Sequence, residues 1–125
     1  MFQNLDIFRT AMAMARHAGQ AQAVSAQNIA NADTPGYRAR DLPAFEQTLR
    51  RSLTGQRATR AGHLNGATGH VIPDEERRDL QDPNGNTVSL ELEMVRAVDA
   101  KRQHDRALAI YRSSMTILRN SLGRS

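Results

Sequence analysis

The residues with the greatest capacity for chemistry lie in the middle of the chain. His63 and His70 occur in a glycine-rich stretch, and Asp74, Glu75 and Glu76 follow them closely. Imidazole and carboxylate groups can bind zinc, and paired carboxylates can act as general acid and base inside a suitable pocket. These histidines lack the spacing of a His-Glu-x-x-His motif, and two arginines follow the acids. We therefore predict a solvated charge cluster with no catalytic residue, metal or cofactor, with zinc binding as the less favoured alternative.

The chain contains few of the large apolar residues that build a hydrophobic core. Leu, Ile, Val and Phe account for 24 of the 125 residues, and alanine supplies much of the 39% hydrophobic content. A chain this poor in large apolar residues is near the range in which chains struggle to fold alone. We therefore expect partners to supply part of the burial.

The net charge is positive, but the charged residues are dispersed along the chain. The formal net charge is +4, and the positive residues are sixteen arginines and Lys101, with acids set among them. A basic helical chain can bind nucleic acid, and this is the runner-up interpretation. The scattered arginines and the scarcity of aromatic residues for base stacking argue against it, so we predict no nucleic-acid partner.

The sequence predicts neither a membrane span nor a cleaved signal peptide. No apolar run approaches the ~20 residues that a membrane helix needs. Asp6 and Arg9 interrupt the region where the apolar core of a signal peptide would lie. The chain also has no cysteine, which excludes disulfides. If the protein leaves the cytoplasm, we expect it to use an export route that does not depend on a cleaved signal peptide.

Residues 4–32 are predicted to form one long helix with two adjacent stripes at heptad spacing. The first stripe is Leu5, Phe8, Met12, Ala15, Gly19, Gln22, Ala26 and Ile29. The second is Ile7, Ala11, Met14, Ala18, Ala21, Ser25 and Asn28. Small residues on two stripes favour packing against more than one helix, although alanine is also simply a good helix former.

A turn and a short helix are predicted to follow in residues 33–53. Pro35 ends the first helix, and Pro35 with Gly36 suits the second and third positions of a type II turn. A short amphipathic helix is expected over residues 41–53, with Asp41 as its cap and Pro43 in its first turn. Residues 54–87 are predicted to be a flexible glycine-rich loop, with a short strand near Val71 and a turn at 82–85.

The C-terminal helix, residues 89–122, has the longest periodic pattern. Ser89 is the expected cap, and Gly123 marks the end. Its predicted stripe is Leu90, Met94, Ala97, Lys101, His104, Leu108, Tyr111, Met115, Leu118 and Leu122. The expected fold is mainly α: a single unit, residues 1–125, in which two long terminal helices pack as an antiparallel coiled coil. The predicted packing residues of the two helices are Leu5, Phe8, Met12, Met94, Leu108, Tyr111, Met115, Leu118 and Leu122.

One segment resembles a known signature. Residues 25–37 closely match the end of the N-terminal helix in flagellar basal-body rod and hook proteins, S-x-x-N-aliphatic-A-N-x-x-T-P-G-Y. The matching positions are Ser25, Asn28, Ile29, Ala30, Asn31, Thr34, Pro35, Gly36 and Tyr37. Residues 37–41 and 82–88 are similar to the proximal-rod branch of that family, the FlgB type. The resemblance covers about residues 1–53 and 82–122.

The resemblance implies a structural role rather than an enzymatic one. A protein of this kind would assemble through its terminal helices with copies of itself and with other rod proteins into the axial tube needed for motility. Membrane-ring proteins, rod-junction proteins and the flagellar type III export apparatus would be its further partners. It would reach the periplasmic rod of the basal body without a cleaved signal, and Phe8 with Met12 fits the family's export element. A helical-hairpin adaptor remains a further alternative, and it would be a stable monomer or dimer.

Overall fold

The computed structural model describes residues 2–54, 75–76 and 82–123. Five elements follow one another: helix α1 (Phe2–Ala30), strand β1 (Arg40–Asp41), helix α2 (Phe45–Thr54), strand β2 (Glu75–Glu76) and helix α3 (Leu90–Leu122). The described chain is mainly helical, as predicted, and its two long helices pack together. His63, His70, Asp74, the strand expected near Val71 and most of the expected loop lie outside the described residues.

The long helices touch at both ends of their interface. Phe8, near the start of α1, meets Tyr111 of α3 edge to face, with ring centroids 5.3 Å apart. Ser25, near the end of α1, donates its hydroxyl hydrogen to the main-chain carbonyl of Glu93 over 3.0 Å. The end of α1 therefore meets the start of α3, and the start of α1 meets a later part of α3.

The interface between the helices is built from alanine. Among the described residues, the buried apolar side chains of these helices are Ala11, Ala18, Ala100 and Ala107. A methyl group lets helix backbones approach closely but removes little apolar surface from water. The helix pair therefore depends on close contact between small groups.

On α1 the second predicted stripe is the packed one. Its members Ala11, Ala18, Ser25 and Asn28 are buried. Leu5 and Met12 of the first stripe are exposed, whereas Phe8 is half-buried. Packing along the second stripe leaves much of the first uncovered beside it.

On α3 the packed stripe differs from the predicted one at every second position. Glu93, Ala100 and Ala107 are buried, and each lies one residue before a predicted member. The stripe members common to both patterns, Ala97, His104, Tyr111 and Leu118, are half-buried. This rotation presents small residues to α1, keeps the Lys101 ammonium group in water and leaves Met94 exposed.

The short helix begins later than predicted. Asp41 is not its cap, because the Asp41 backbone pairs with Glu75 in β2 and its Oδ1 accepts from the adjacent Leu42 N–H at 3.0 Å. Pro43 favours an extended conformation at Leu42, so the chain stays non-helical there. Helix α2 starts only at Phe45.

The ends of the long helices also differ from expectation. Helix α1 ends at Ala30, two residues before the predicted end. Ser89 occupies the cap position of α3, but its side chain makes no capping hydrogen bond. Gly123 ends α3 with a right-handed φ of −78°, and its N–H donates to the Arg119 carbonyl at 2.9 Å.

The two strands form a small antiparallel sheet. Arg40 pairs with Glu76, and Asp41 pairs with Glu75. Arg38 adds an exposed ion pair to Glu76 at 3.0 Å, a kind of contact that contributes little stability. Within the described ranges, no helix combines the length and the apolar character needed to cross a membrane.

Candidate functional site

The motif residues gather where three segments meet: the end of α1, the return segment (residues 37–41) and the segment before α3 (residues 82–88). Asn28 lies at the centre and is 0% exposed. Its Nδ2 donates to the Arg40 carbonyl at 2.8 Å, and its Oδ1 accepts from the Arg40 N–H at 3.0 Å. The amide thus pairs with the backbone at two points and fastens the return segment to the helix. We call this meeting point the polar junction.

Tyr37 adds a third hydrogen bond to Asn28. The Tyr37 hydroxyl donates to Asn28 Oδ1 at 3.2 Å, so that oxygen accepts two hydrogen bonds. The sequence alone left open whether Asn28 lies on a packing face or in solvent, and the structure places it in the interior. Burial without these partners would be costly for an amide group.

Asn31 forms local contacts instead. It is half-buried, and its Nδ2 donates to the Gln27 carbonyl one turn earlier at 2.8 Å. Its Oδ1 accepts from the Thr34 hydroxyl at 3.2 Å. The Asn31 side chain therefore shapes the last turn of the helix.

The predicted turn is confirmed at Pro35 and Gly36. Tyr37 N–H donates to the Thr34 carbonyl at 3.3 Å, and Gly36 has a φ of +74°. Only glycine adopts this left-handed conformation without steric cost. Gly36 N–H also donates to the Asn84 carbonyl at 3.0 Å, which ties the turn to the segment before α3.

Asn86 is the second buried amide of the junction, at 1% exposed, and the sequence analysis did not single it out. Its Nδ2 lies 2.9, 2.8 and 2.8 Å from the carbonyl oxygens of Asn31, Ala32 and Thr34. Its Oδ1 accepts from the Val88 N–H at 2.8 Å. Carbonyls at and just past a helix end lack the usual helical N–H partners. The Asn31 and Thr34 carbonyls accept turn N–H groups from Thr34 and Tyr37, and Asn86 adds a second donor to them and a donor to Ala32.

Its position just after a predicted turn was the first hint of a role for Asn86. That turn, residues 82–85, is confirmed by the hydrogen bond from Gly85 N–H to the Asp82 carbonyl at 2.8 Å. Nothing in the local spacing pairs Asn86 with a helix end more than fifty residues earlier. The resemblance of residues 82–88 to rod proteins was the second available signal.

Thr87 joins the same segment to the return segment. Its N–H donates to the Tyr37 carbonyl at 3.1 Å, and its hydroxyl oxygen accepts from the buried Ala39 N–H at 2.8 Å. Residues 86 and 87 are both buried. Hydrogen bonds therefore fix the described end of the segment that was predicted to be a flexible loop.

A buried carboxylate lies next to the junction. Glu93, at 1% exposed, accepts from the Ser25 hydroxyl at 3.1 Å through its Oε2. Its Oε1 lies 3.7 Å from Arg96 Nη1, and the same nitrogen lies 3.3 Å from Asp41 Oδ2. A buried charge is tolerated when it is paired and hydrogen-bonded. This network links α1, β1 and α3.

His17 contacts the residues at and just before the start of α2. Its Nε2 lies 2.7 Å from the Pro43 carbonyl oxygen, and its ring meets Phe45 edge to face at 5.6 Å. A carbonyl oxygen can only accept, so Nε2 carries the hydrogen. His17 is buried and holds the residues before α2 against α1.

The other predicted residues are distributed between interior and surface. Half-buried are Phe8, Ile29, Tyr37, Leu108, Tyr111 and Leu118. Exposed are Leu5, Met12, Ala30, Thr34, Pro35, Gly36, Met94, Met115 and Leu122. In the part of the chain that the structure describes, no group of three or more His, Asp or Glu side chains is placed to hold a metal ion.

Known proteins match this chain over the region that contains the junction. The family described as Flagella basal body rod protein matches residues 8–38. Flagellar basal body rod protein FlgB of Agrobacterium fabrum is 30% identical over 119 residues, which cover 89% of this chain and 88% of the relative. The FlgB proteins of Salmonella typhimurium and Escherichia coli are 29% identical over 114 residues and 33% identical over 106 residues. These matches cover 82% and 72% of this chain, and 83% and 73% of the relatives.

Two long helices, a polar junction at the family signature and these relatives define a structural protein of the flagellar basal body rod. The chain belongs to the FlgB family of flagellar basal body rod proteins. As a rod subunit, it assembles with other rod components of the basal body.

Proposed function

We propose that the chain builds the proximal part of the rod. In this proposal α1 and α3 form an antiparallel coiled coil, and their outer faces pack against copies of the chain and other rod proteins around the axial tube. The observation that carries it is the uncovered apolar surface of both helices. The large apolar residues exposed there are Leu5, Ile7, Met12, Leu90, Leu92, Met94, Val95, Val98, Ile110, Met115, Ile117 and Leu122.

The first part of α3 presents the densest patch. Leu90, Met94 and Val98 follow one another at four-residue intervals, so they lie along one face. Met94 is 56% exposed, and Val95 beside it is 58% exposed. Contiguous apolar surface of this kind marks interaction sites, because its burial removes apolar area from water. A neighbouring helix is the natural cover for such a stripe.

A second patch lies at the other end of the helix pair. Phe8 lies against Tyr111, so the start of α1 adjoins the later part of α3. Leu5 and Ile7 are exposed on α1 there, and Ile110 and Ile117 are exposed on α3. Patches at both ends support contacts with more than one neighbour, as expected of a subunit within a tube.

The polar junction has a mechanical role in this proposal. It joins the end of α1, the return segment and the start of α3 through buried hydrogen bonds, so forces on one helix pass directly to the other. The turn at Pro35 and Gly36 sets the angle at which the return segment leaves α1. Residues that fix angles in this way suit a subunit that transmits torque.

Family membership supports the remaining parts of the proposal. The chain would be exported through the flagellar type III apparatus, with Phe8 and Met12 as the export element. It would then assemble in the periplasm on the membrane-ring and rod-junction proteins. Met12 is exposed and Phe8 is half-buried, so the packed helix pair covers part of this element.

The test is a charge placed on the exposed apolar patch. Met94→Lys and Val95→Lys should fold, because both positions face solvent in the single chain, but should prevent a neighbour from covering the patch. Strains carrying them should not swim, and their basal bodies should lack a complete rod. Asn120→Lys is the matched control at an exposed polar position of α3, and it should swim. Normal swimming and complete rods in both patch variants would refute the proposal.

A further inference from the structure

Helix α3 could face α1 in two ways that differ by a modest rotation about its axis. The observed face presents Glu93, Ala100 and Ala107 to α1. A roll of about 50°, half the 100° that separates successive residues of a helix, would present a different stripe. That alternative stripe keeps the four shared members and adds Leu90, Met94, Lys101, Leu108, Met115 and Leu122.

Hydrophobic burial alone does not select the observed face. The alternative would cover Met94 and Met115, which are now exposed, whereas at the positions that differ between the two faces the observed one buries the methyl groups of Ala100 and Ala107 beside the Glu93 side chain. Burial of the Lys101 ammonium group opposes the alternative, but a long lysine side chain can reach solvent from the edge of an interface. Some further contact must hold the helix in its observed rotation.

We propose that Ser25 and Glu93 are the positioning residues that set the rotation of α3 against α1. This inference deepens the proposed function, because it keeps Met94 and its neighbouring apolar residues turned outward for assembly. The two residues contribute nothing to the outer face themselves. They act by fixing which side of α3 is hidden.

The geometry of the contact supports this role. The Ser25 hydroxyl lies 3.0 Å from the Glu93 carbonyl oxygen and 3.1 Å from Oε2, so its single hydrogen reaches both. Both residues are almost fully buried. Rolling α3 would carry the Glu93 carboxylate away from this donor and leave the Ser25 hydroxyl facing apolar groups. Unpaired buried polar groups are costly, so the contact favours one rotation.

The other charged contact of Glu93 does not fix the rotation relative to α1. Arg96 lies three residues later on the same helix, and its 3.7 Å ion pair with Glu93 turns with the helix. The polar junction is attached ahead of α3 at residues 82–88, so it limits sliding along the axis more than rolling about it. Arg96 also pairs with Asp41 of β1 at 3.3 Å, but both side chains are partly exposed, and ion pairs of that kind contribute little. Ser25 is the buried partner from α1, and it therefore contributes most to the choice of rotation.

The experiment measures thiol labelling of the purified full-length chain, which contains no natural cysteine. Single cysteines are placed at Ala107, which is buried, and at Met115, which is exposed. Without other changes, the cysteine at 115 should react quickly and the cysteine at 107 slowly. Adding Ser25→Ala removes the donor to both Glu93 acceptors and should speed labelling at 107 by about tenfold, the effect typical of losing a hydrogen bond to a charged group. Labelling at 115 should slow by a smaller factor, because an exposed site reacts in proportion to the remaining population of the observed rotation. Glu93→Ala should change both rates in the same directions but by less, because the Glu93 main-chain carbonyl can still accept from Ser25.

Glu93→Gln is the conservative control, because its amide oxygen still accepts from Ser25, and it should keep the original labelling pattern. Unchanged labelling in both alanine variants would overturn the inference. Fast labelling at both positions would also overturn it, either in the alanine variants or in the chain that keeps Ser25 and Glu93. Both faces of α3 would then reach solvent, so the contact would not be fixing one rotation. Labelling on the isolated chain is independent of the swimming assay, so each proposal can fail without the other.

Discussion

Replacing Asn86 with alanine removes the side chain that joins the end of α1 to the segment before α3. The amide nitrogen has two hydrogens, which three carbonyl groups share, and the amide oxygen accepts from the Val88 N–H. The lost contacts therefore amount to two donated hydrogen bonds and one accepted one. At about 1 kcal/mol net for each, Asn86→Ala should lower the free energy of unfolding by about 3 kcal/mol.

A second variant at the same position separates the hydrogen-bond argument from a loss of packing. Asn86→Asp keeps the side-chain size and an acceptor for the Val88 N–H, but it places an oxygen against the carbonyls of Asn31, Ala32 and Thr34. Acceptors that face one another repel, so we expect Asn86→Asp to be at least as destabilising as the alanine variant at neutral pH. If packing were the cause, aspartate would instead resemble the natural residue.

The assay is urea unfolding followed by far-ultraviolet circular dichroism, with the free energy extrapolated to water. Asn120→Ala is the matched control, because Asn120 is exposed on α3 and alanine is the better helix former. The control should equal or slightly exceed the natural chain in stability. The reasoning is wrong if Asn86→Ala loses less than about 0.5 kcal/mol, or if Asn86→Asp is the more stable of the two variants.

Two further predictions concern the turn and the return segment. Gly36→Ala should lower the free energy of unfolding by about 1 kcal/mol, because alanine disfavours a φ of +74°. Gly19→Ala should raise the free energy of unfolding by about 0.5–1 kcal/mol, because Gly19 is helical and has open space around an added Cβ. Thermal unfolding of both variants checks this, and shifts of the same sign would contradict it. Thr87→Val should cost about 1–3 kcal/mol because the buried Ala39 N–H loses its acceptor. Thr87→Ser keeps the hydroxyl and should cost much less in the same urea assay, and equal losses would point to packing instead.

Parts of this protein follow from short stretches of sequence. Pro35 and Gly36 prevent the first helix from continuing beyond the turn, because the proline ring and a left-handed glycine do not fit a helix, although the helix already ends at Ala30. The heptad spacing and high alanine content predict two long helices, and residues 82–85 predict a turn. The signature at residues 25–37 indicated the family before any contact was known. In each case the determining constraint acts within about ten residues along the chain.

The tertiary structure alone decided which helix faces meet and how the helix end is satisfied. Both α1 and α3 carry two stripes with helical spacing, and periodicity cannot choose between stripes that differ only by a rotation about the axis. The choice comes from contacts across the interface, such as Ser25 with Glu93. Asn86 likewise has no local signature, because its partners lie more than fifty residues away. A side chain satisfies distant carbonyl groups only when the fold brings the two segments together.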